Sequence, residues 1–293
     1  MKKIEFTSWI EWDDSPIFDK ESFHETFDGG QSFTWKIEKG YLEGIFLNAI
    51  FRLKLRGNKI VFSIPEGLDE NKAEEDLSNY VANNIDFKSI QDQLPWRSDP
   101  ILKSSIKAFP NLRILRQPLT ETLLGFLCSS SKQIVQIKQI LDLSASRYGD
   151  NIIYNYKSLP TWKKIAQLDE TELKELKLGF RARYIYKSAK FIDSHPTWLD
   201  KLNELSLNDS KIELMRLSGV GEKIADCVAL FALGKFHAFP IDTWIEKILI
   251  KAYGLDGFNK EQLIRFAQNH FGSYAGYAQQ FLFAAARAKI IKL

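Results

Sequence analysis

Cysteine is scarce: the chain of 293 residues has only Cys128 and Cys227, far apart in sequence. That excludes a disulfide-dense secreted scaffold, and it excludes a four-cysteine zinc or iron–sulfur site built from this chain alone. Long apolar runs are also missing. The densest, Cys227 to Leu233, falls far below the ~20 residues that a bilayer demands. At the start, Met1-Lys2-Lys3-Ile4-Glu5-Phe6-Thr7-Ser8-Trp9 carries basic residues with no apolar segment of signal-peptide length behind them. A soluble intracellular protein is the expectation. No charge of one sign dominates, since 40 Lys and Arg stand against 37 Asp and Glu, a formal net charge of +3. Such a balance neither demands nor forbids a polyanionic partner. Without repeats or low-complexity tracts, collagen, coiled coil and mucin-like stalks are excluded.

What is present is ordinary globular composition, 45% hydrophobic and 26% charged. At about 150 residues per domain the length suits one large domain or two. From Thr34 to Pro65 apolar and polar residues alternate, with Gly57-Asn58 between two runs, the pattern of antiparallel strands and hairpins. Beyond Pro65 the period changes. Glu70 to Ile85, Pro118 to Ser129, Gln133 to Tyr148 and Arg181 to Ser194 carry apolar residues three and four apart and predict helices. The expected fold class is α+β: a β-rich N-terminal domain over residues 1–110, then a mostly helical domain over 111–293.

Leu217-Ser218-Gly219-Val220-Gly221-Glu222-Lys223 separates two helical patterns and predicts a helix–hairpin–helix near residues 210–233. Two glycines around one apolar residue permit a tight hairpin, and the next helix starts with unpaired amides suited to a phosphate. A plain glycine C-cap turn would look the same. In the helix that follows, Ile224, Cys227, Val228 and Phe231 form an apolar stripe, and Lys223 lies one turn before Cys227, leaning along that side. Partial burial there would disfavour the ammonium form and favour a nucleophilic amine, whereas most lysines at a helix start are solvated. Further on, Pro240-Ile241-Asp242 precedes the periodic run Trp244, Ile245, Ile248, Leu249. Asp242 suits a helix N-cap, and a carboxylate held that way can also stabilise a developing sugar cation.

With hairpin, lysine and proline–aspartate at this spacing, the chain resembles the helix-hairpin-helix/Gly-Pro-Asp superfamily of DNA glycosylases. Within it, it is similar to the 8-oxoguanine DNA glycosylases of the eukaryotic type. The likeness spans nearly the whole chain and is carried also by Gly30-Gln31-Ser32-Phe33-Thr34-Trp35, by Leu124 to Ser130, by Leu178-Gly179-Phe180-Arg181-Ala182-Arg183-Tyr184, and by Tyr274 to Phe283. It implies that Lys223 attacks C1′ of the damaged nucleoside, forms a Schiff base and can go on to β-elimination, and that Asp242 is the essential aspartate. It further implies that the Gly30 carbonyl accepts the N7 hydrogen of the oxidised base, that Gln279 reads the Watson–Crick edge, and that Phe283 and Cys227 sandwich the flipped ring. Gln279 and Phe283 are four apart, so one helix can offer both; the plainer reading is a core Phe283 and a surface Gln279. Gly219, Val220 and Gly221 would grip the DNA backbone, Phe180 would wedge into the duplex, and Arg181 would contact the base left behind.

The chain departs from that pattern in places. Ser131-Lys132-Gln133 stands where the animal enzymes have an asparagine run, and Gln136 where an arginine is expected, which leaves Arg181 alone of the cytosine-reading set and implies relaxed opposite-base choice. Trp244 occupies a position where a phosphate-contacting histidine is common, and Phe231 replaces a pocket methionine. The resemblance implies no required cofactor and no catalytic metal, with room for a structural monovalent cation at the hairpin. Its implied partner is double-stranded DNA containing oxidised guanine, met in the cytoplasm, nucleoid or nucleus by a monomer and away from membranes. A non-catalytic helix–hairpin–helix DNA-binding protein, or a glycosylase for another modified purine, are the alternatives.

Overall fold

The computed structural model of the protein describes residues 4–154 and 156–292. Met1 to Lys3, on which the N-terminal expectation partly rests, lie outside the described residues. The alternating segment forms a five-stranded antiparallel sheet in the order β1-β5-β4-β3-β2. Its strands are β1 (Ile10–Glu11), β2 (Trp35–Glu38), β3 (Tyr41–Phe46), β4 (Ala49–Arg56) and β5 (Lys59–Ser63), with helix α1 (Lys20–Asp28) between the first two. Register follows the two-residue turns: Leu47 and Asn48 (φ 49° and 59°) pair Phe46 with Ala49, and Gly57-Asn58 pairs Arg56 with Lys59. The inward positions Trp35, Leu42, Phe46, Phe51, Leu53 and Phe62 are buried with Phe23 and Phe27 of α1. The α1 helix escaped the periodicity because only those two phenylalanines mark its inner face.

Helices follow. They are α2 (Glu70–Tyr80), α3 (Phe87–Gln93), α4 (Pro100–Ala108), α5 (Leu119–Cys128) and α6 (Ile134–Tyr148); a small hairpin of β6 (Asn151–Ile153) and β7 (Tyr156–Lys157) intervenes. Then come α7 (Trp162–Gln167), α8 (Glu170–Leu173), α9 (Arg181–Ser194), α10 (Trp198–Lys201), α11 (Leu207–Leu214), α12 (Glu222–Phe231), α13 (Thr243–Lys247), α14 (Lys260–Phe271) and α15 (Ala275–Arg287). Among the described residues no helix is long and apolar enough to cross a membrane.

One expectation needs correction. The helix predicted to Ile85 stops at Tyr80, because Ala82 turns left-handed (φ 51°) and Arg113 holds the carbonyls of Val81 and Ala82 at 3.0 and 2.9 Å. Short of the boundary expected at residue 110, the chain already contributes to two cores. Phe87, Ile90, Leu94 and Leu102 of α3 and α4 are buried in the helical core, where α4 lies against α15, so the sheet's own core ends near Val81, with Leu115 reaching back into it. The sheet spans residues 10–63, α2 packs into its core through Ala73, Leu77 and Tyr80, and α3 and α4 serve the second core.

Candidate active site

A cleft of about 990 Å³ opens between the loop after α1, the start of α6, the hairpin helix α12, the loop before α13 and helix α15. Lys223, Asp242, Gly30, Cys227, Gln279 and Phe283, six residues from four separate segments, all line it.

Each is aimed by local structure. Gly221 caps α12 in extended conformation and Lys223 follows in the first turn. Its Nζ donates to Ser129 Oγ at 3.3 Å and lies 5.3 Å from the centroid of the Phe126 ring. Ser129 is oriented for this because its hydroxyl donates to the Phe126 carbonyl at 2.7 Å. Phe126 in turn stacks on Phe231, with centroids 5.6 Å apart and planes 12° apart, so the substitution of phenylalanine for the expected methionine gives the cleft a flat aromatic floor. The lysine thus lies half-buried between a hydroxyl and an aromatic face.

Asp242 is the N-cap of α13, accepting from Trp244 N at 3.0 Å and Ile245 N at 2.9 Å. Both bonds end on Oδ1, so the cap does not use Oδ2. The capping and the chemical readings of this aspartate are therefore compatible in one geometry. Trp244, next along, is 44% exposed at the cleft rim.

Gly30 has φ 105°, a conformation open to glycine, and a Cβ there would lie 2.7 Å from Ile134 Cδ1. Its neighbour Gln31 is buried and staples the loop: its side chain donates to Arg113 O at 2.8 Å and accepts from Leu115 N at 2.8 Å, while its carbonyl accepts from Gln117 at 2.7 Å. On α15 the plainer expectation is inverted. Gln279 is 4% exposed and accepts from the Gln280 side chain at 2.9 Å, whereas Phe283 is only half-buried and faces the cleft. Gly276 makes this possible, because α15 presses onto the Ala238 carbonyl where any Cβ would collide.

Cys227 is buried against the cleft wall, and burial pushes its thiol up to about 12, with nearby Lys223 pulling the other way; burial alone does the same to Cys128. At pH 8 the thiolate fraction is then of order 10⁻⁴, against roughly a fifth for an ordinary thiol. Titration with a chromogenic disulfide reagent should find no fast-reacting thiol in the native protein and two after denaturation. Native labelling should rise about tenfold per pH unit through pH 9 to 11. A native thiol that labels within seconds at pH 8 would contradict the burial.

The remaining expected residues lie outside the cleft lining or on its rim. Phe180 follows a turn with two left-handed residues, Lys177 and Gly179 (φ 61° and 59°), and is 59% exposed. Tyr184 packs edge-on against it at 5.9 Å and also against Gly219, so the protruding ring and the hairpin rest on the same helix, α9. Ser188 on α9 donates to the Ser218 carbonyl at 3.0 Å, and Lys211 on α11 pairs with buried Asp226 on α12 at 2.7 Å, fixing hairpin and flanking helices together. Gly219 has φ 84°, and Val220 is buried beneath the turn. Ser131 (φ 54°) is exposed on the rim, and Gln136 is used within α6 itself, capping the Gln133 amide at 3.0 Å. Arg181 is only 3% exposed: it donates to Leu178 O at 3.2 Å under the Phe180 ring, and its Nε has no partner among the described residues. An arginine at a helix start next to an exposed aromatic reads in sequence as solvated; its burial is a tertiary fact.

Sequence reasoning assigned no role to Ser129, Phe126, Gln31 or Gln280. All four stand inside the segments that carry the resemblance, which was the available signal. No cluster of His, Cys, Asp and Glu able to hold a metal ion occurs among the described residues.

Residues 18–123 match the family described as "8-oxoguanine DNA glycosylase, N-terminal domain", and residues 128–271 match "HhH-GPD superfamily base excision DNA repair protein". The chain is 28% identical over 279 residues to "N-glycosylase/DNA lyase OGG1" of Arabidopsis thaliana, covering 89% of this chain and 76% of the relative. It is 30% identical over 248 residues to the N-glycosylase/DNA lyase of Saccharomyces cerevisiae, covering 71% and 65%. Among solved structures, the 8-oxoguanine glycosylase/lyase of Clostridium acetobutylicum, in complex with double-stranded DNA containing cytosine opposite 8-oxoguanine, superposes with a TM-score of 0.87 at 30% identity, covering 98% of this chain and 99% of that one. A 3-methyladenine DNA glycosylase from Archaeoglobus fulgidus shares the fold, with a TM-score of 0.76 at 18% identity.

Proposed function

The chain belongs to the HhH-GPD superfamily of base-excision DNA repair proteins, in its 8-oxoguanine glycosylase branch, and we infer from this that it excises 8-oxoguanine from double-stranded DNA as an N-glycosylase/DNA lyase. The observation that carries the reading is the convergence of Lys223, Asp242, Gly30, Cys227, Gln279 and Phe283 on one cleft of purine-admitting size.

In the mechanism we propose, the flipped base enters between Phe283 and the Cys227 wall, with Gln279 on its Watson–Crick edge and the Gly30 carbonyl at N7. An 8-oxoguanine N7 carries a hydrogen and satisfies that carbonyl; guanine leaves it unpaired at a cost of about 1–3 kcal/mol. The Lys223 amine attacks C1′ through its nitrogen lone pair, the C1′–N9 bond breaks with its electron pair going to the base, and the base takes up the proton that the newly bonded nitrogen gives up. Asp242, fixed by its two backbone donors, stabilises positive charge developing on the sugar. The sugar ring opens to a lysine Schiff base, and loss of a C2′ proton expels the 3′ phosphate. Phe180 fills the gap in the stack, while the Gly219-Val220-Gly221 turn and Trp244 face the phosphates. No cofactor takes part. A structural monovalent cation would rest on hairpin carbonyls: those of Leu217 and Ser218 already accept one bond each, from Val220 N and Ser188 Oγ, and keep a second lone pair. Bound there, it would add positive charge facing a phosphate. The enzyme would act as a monomer where the DNA lies, in nucleoid or nucleus.

Opposite-base reading rests on little: Ser131 is short, Gln136 is committed to its own helix, and Arg181 is buried. Single-turnover excision of 8-oxoguanine opposite C, A, G and T should therefore differ by less than about tenfold, where one bidentate base contact would be worth 1–3 kcal/mol, roughly 5- to 150-fold. Strong confinement to cytosine would refute the relaxed reading. Duplexes carrying alkylated or ring-opened purines in the same assay separate the substrate assignment from its alternatives.

A further inference from the structure

On the wall of the cleft, Arg287 joins three parts of the site that the chain brings in separately. It lies one helical turn beyond Phe283 on α15. Its Nη1 donates to the two carboxylate oxygens of Glu25 at 2.8 and 3.0 Å and to the carbonyl of Gly29 at 2.6 Å. The guanidinium carbon is 5.9 Å from the centroid of the Phe283 ring. Glu25 belongs to the last two turns of α1, and Gly29 caps that helix by donating its N–H to the Glu25 carbonyl at 2.9 Å. A Cβ at position 29 would collide with both the carbonyl and the carboxylate of Glu25, so the three groups are packed without slack.

The peptide whose carbonyl Arg287 holds is the one that leads directly into Gly30. A rotation of that peptide would carry the Gly30 carbonyl with it, and Gly30, having no Cβ, offers little resistance of its own. Gln31 fixes the far side of Gly30 through its staple to residues 113–117; Arg287 fixes the near side. The two ends of the reading device, the N7-facing carbonyl on one segment and Gln279 with Phe283 on another, are thereby referred to a single guanidinium. Charge-assisted bonds of this length, with side chains mostly out of solvent, hold position better than a surface pair would.

We propose that Arg287 is the specificity-positioning residue of the site, locking the Gly29–Gly30 backbone to the helix that carries Gln279 and Phe283 so that the lesion-reading carbonyl keeps its place. This rests on the reading of the cleft as an 8-oxoguanine site. Arg287 bonds to Glu25 and the Gly29 carbonyl and makes no hydrogen bond to Lys223 or Asp242, so its effect falls on base recognition and spares chemistry at C1′.

The test compares two substrates of the full chain: a duplex with 8-oxoguanine opposite cytosine, and the same duplex with a preformed abasic site, which offers Lys223 its aldehyde and no base to read. Arg287→Met should slow saturated single-turnover excision about 10- to 100-fold, leave duplex Kd little changed, and keep abasic-site β-elimination within about twofold of wild type. Arg287→Lys, with one ammonium for acceptors that the guanidinium serves together, should show the same split at smaller size, and it supplies the folded variant if methionine lowers the melting temperature below the assay. Equal losses on both substrates would mark Arg287 as a general stabiliser and overturn the proposal, as would undiminished excision. Wild-type protein that processes the abasic site and leaves 8-oxoguanine intact would overturn the site reading itself, and the proposal with it.

Discussion

Replacing Lys223 with glutamine should abolish base release, with single-turnover excision falling at least about a thousandfold, and should abolish the covalent enzyme–DNA adduct that borohydride traps. Affinity for the lesion duplex should stay within a few fold. Glutamine is close to lysine in length and can still hydrogen-bond Ser129 Oγ, so the packing between Phe126 and Ser129 survives while the nucleophile is gone. The loss of the amine at the cleft changes the salt dependence of binding by about one phosphate contact at most. Gel-shift titration beside the excision assay separates the two effects. Normal excision by this variant would eliminate the lysine mechanism, whereas loss of binding in step with excision would make Lys223 a phosphate contact only.

That lysine was legible in the sequence because its signals are local: a double-glycine turn, a helix start and an apolar stripe within the thirteen residues from Gly219 to Phe231. The strands were legible for the same reason, since alternation and two-residue turns are short-range features, and Gly57-Asn58 set the β4–β5 register as expected. Where the outcome hangs on packing between distant segments, the local pattern gives the wrong answer or none. Gln279 and Phe283 read as surface and core, yet α15 is rotated so that the amide is buried and the ring faces the cleft, because Gly276 lets the helix approach the 236–238 backbone from one direction only. Arg181 reads as exposed and lies beneath Phe180. Gln31 pairs with residues more than eighty positions on, and Glu25 with Arg287 across almost the full chain. No periodicity encodes such partners. The burial of α3 and α4 has the same origin, for they are sequence neighbours of the sheet but place Phe87, Ile90 and Leu102 in the helical core.

Asp242 offers the second large effect, and here a substitution can divide two roles that one oxygen pair performs. Asparagine ranks with aspartate as an N-cap, so Asp242→Asn should keep the bonds from Trp244 N and Ile245 N and hold stability within about 0.5 kcal/mol. It removes the negative charge, and excision should fall about 100- to 1,000-fold, the scale seen when one preorganised electrostatic group is lost from a site that excludes water. Asp242→Ala should show the same loss of rate plus about 1 kcal/mol of destabilisation from the missing cap. Comparing the two by urea denaturation and single-turnover kinetics therefore assigns the cap to Oδ1 and the chemistry to charge. Were asparagine to retain most of the wild-type rate, Asp242 would act by placing α13 and the Trp244 rim, and stabilisation of the sugar cation would have to come from the DNA phosphates or from the leaving base itself. The abasic-site reaction decides between these, because it starts from an aldehyde with no cation to form: a charge role predicts that Asp242→Asn spares Schiff-base formation far more than base release, and a placement role predicts equal losses in both.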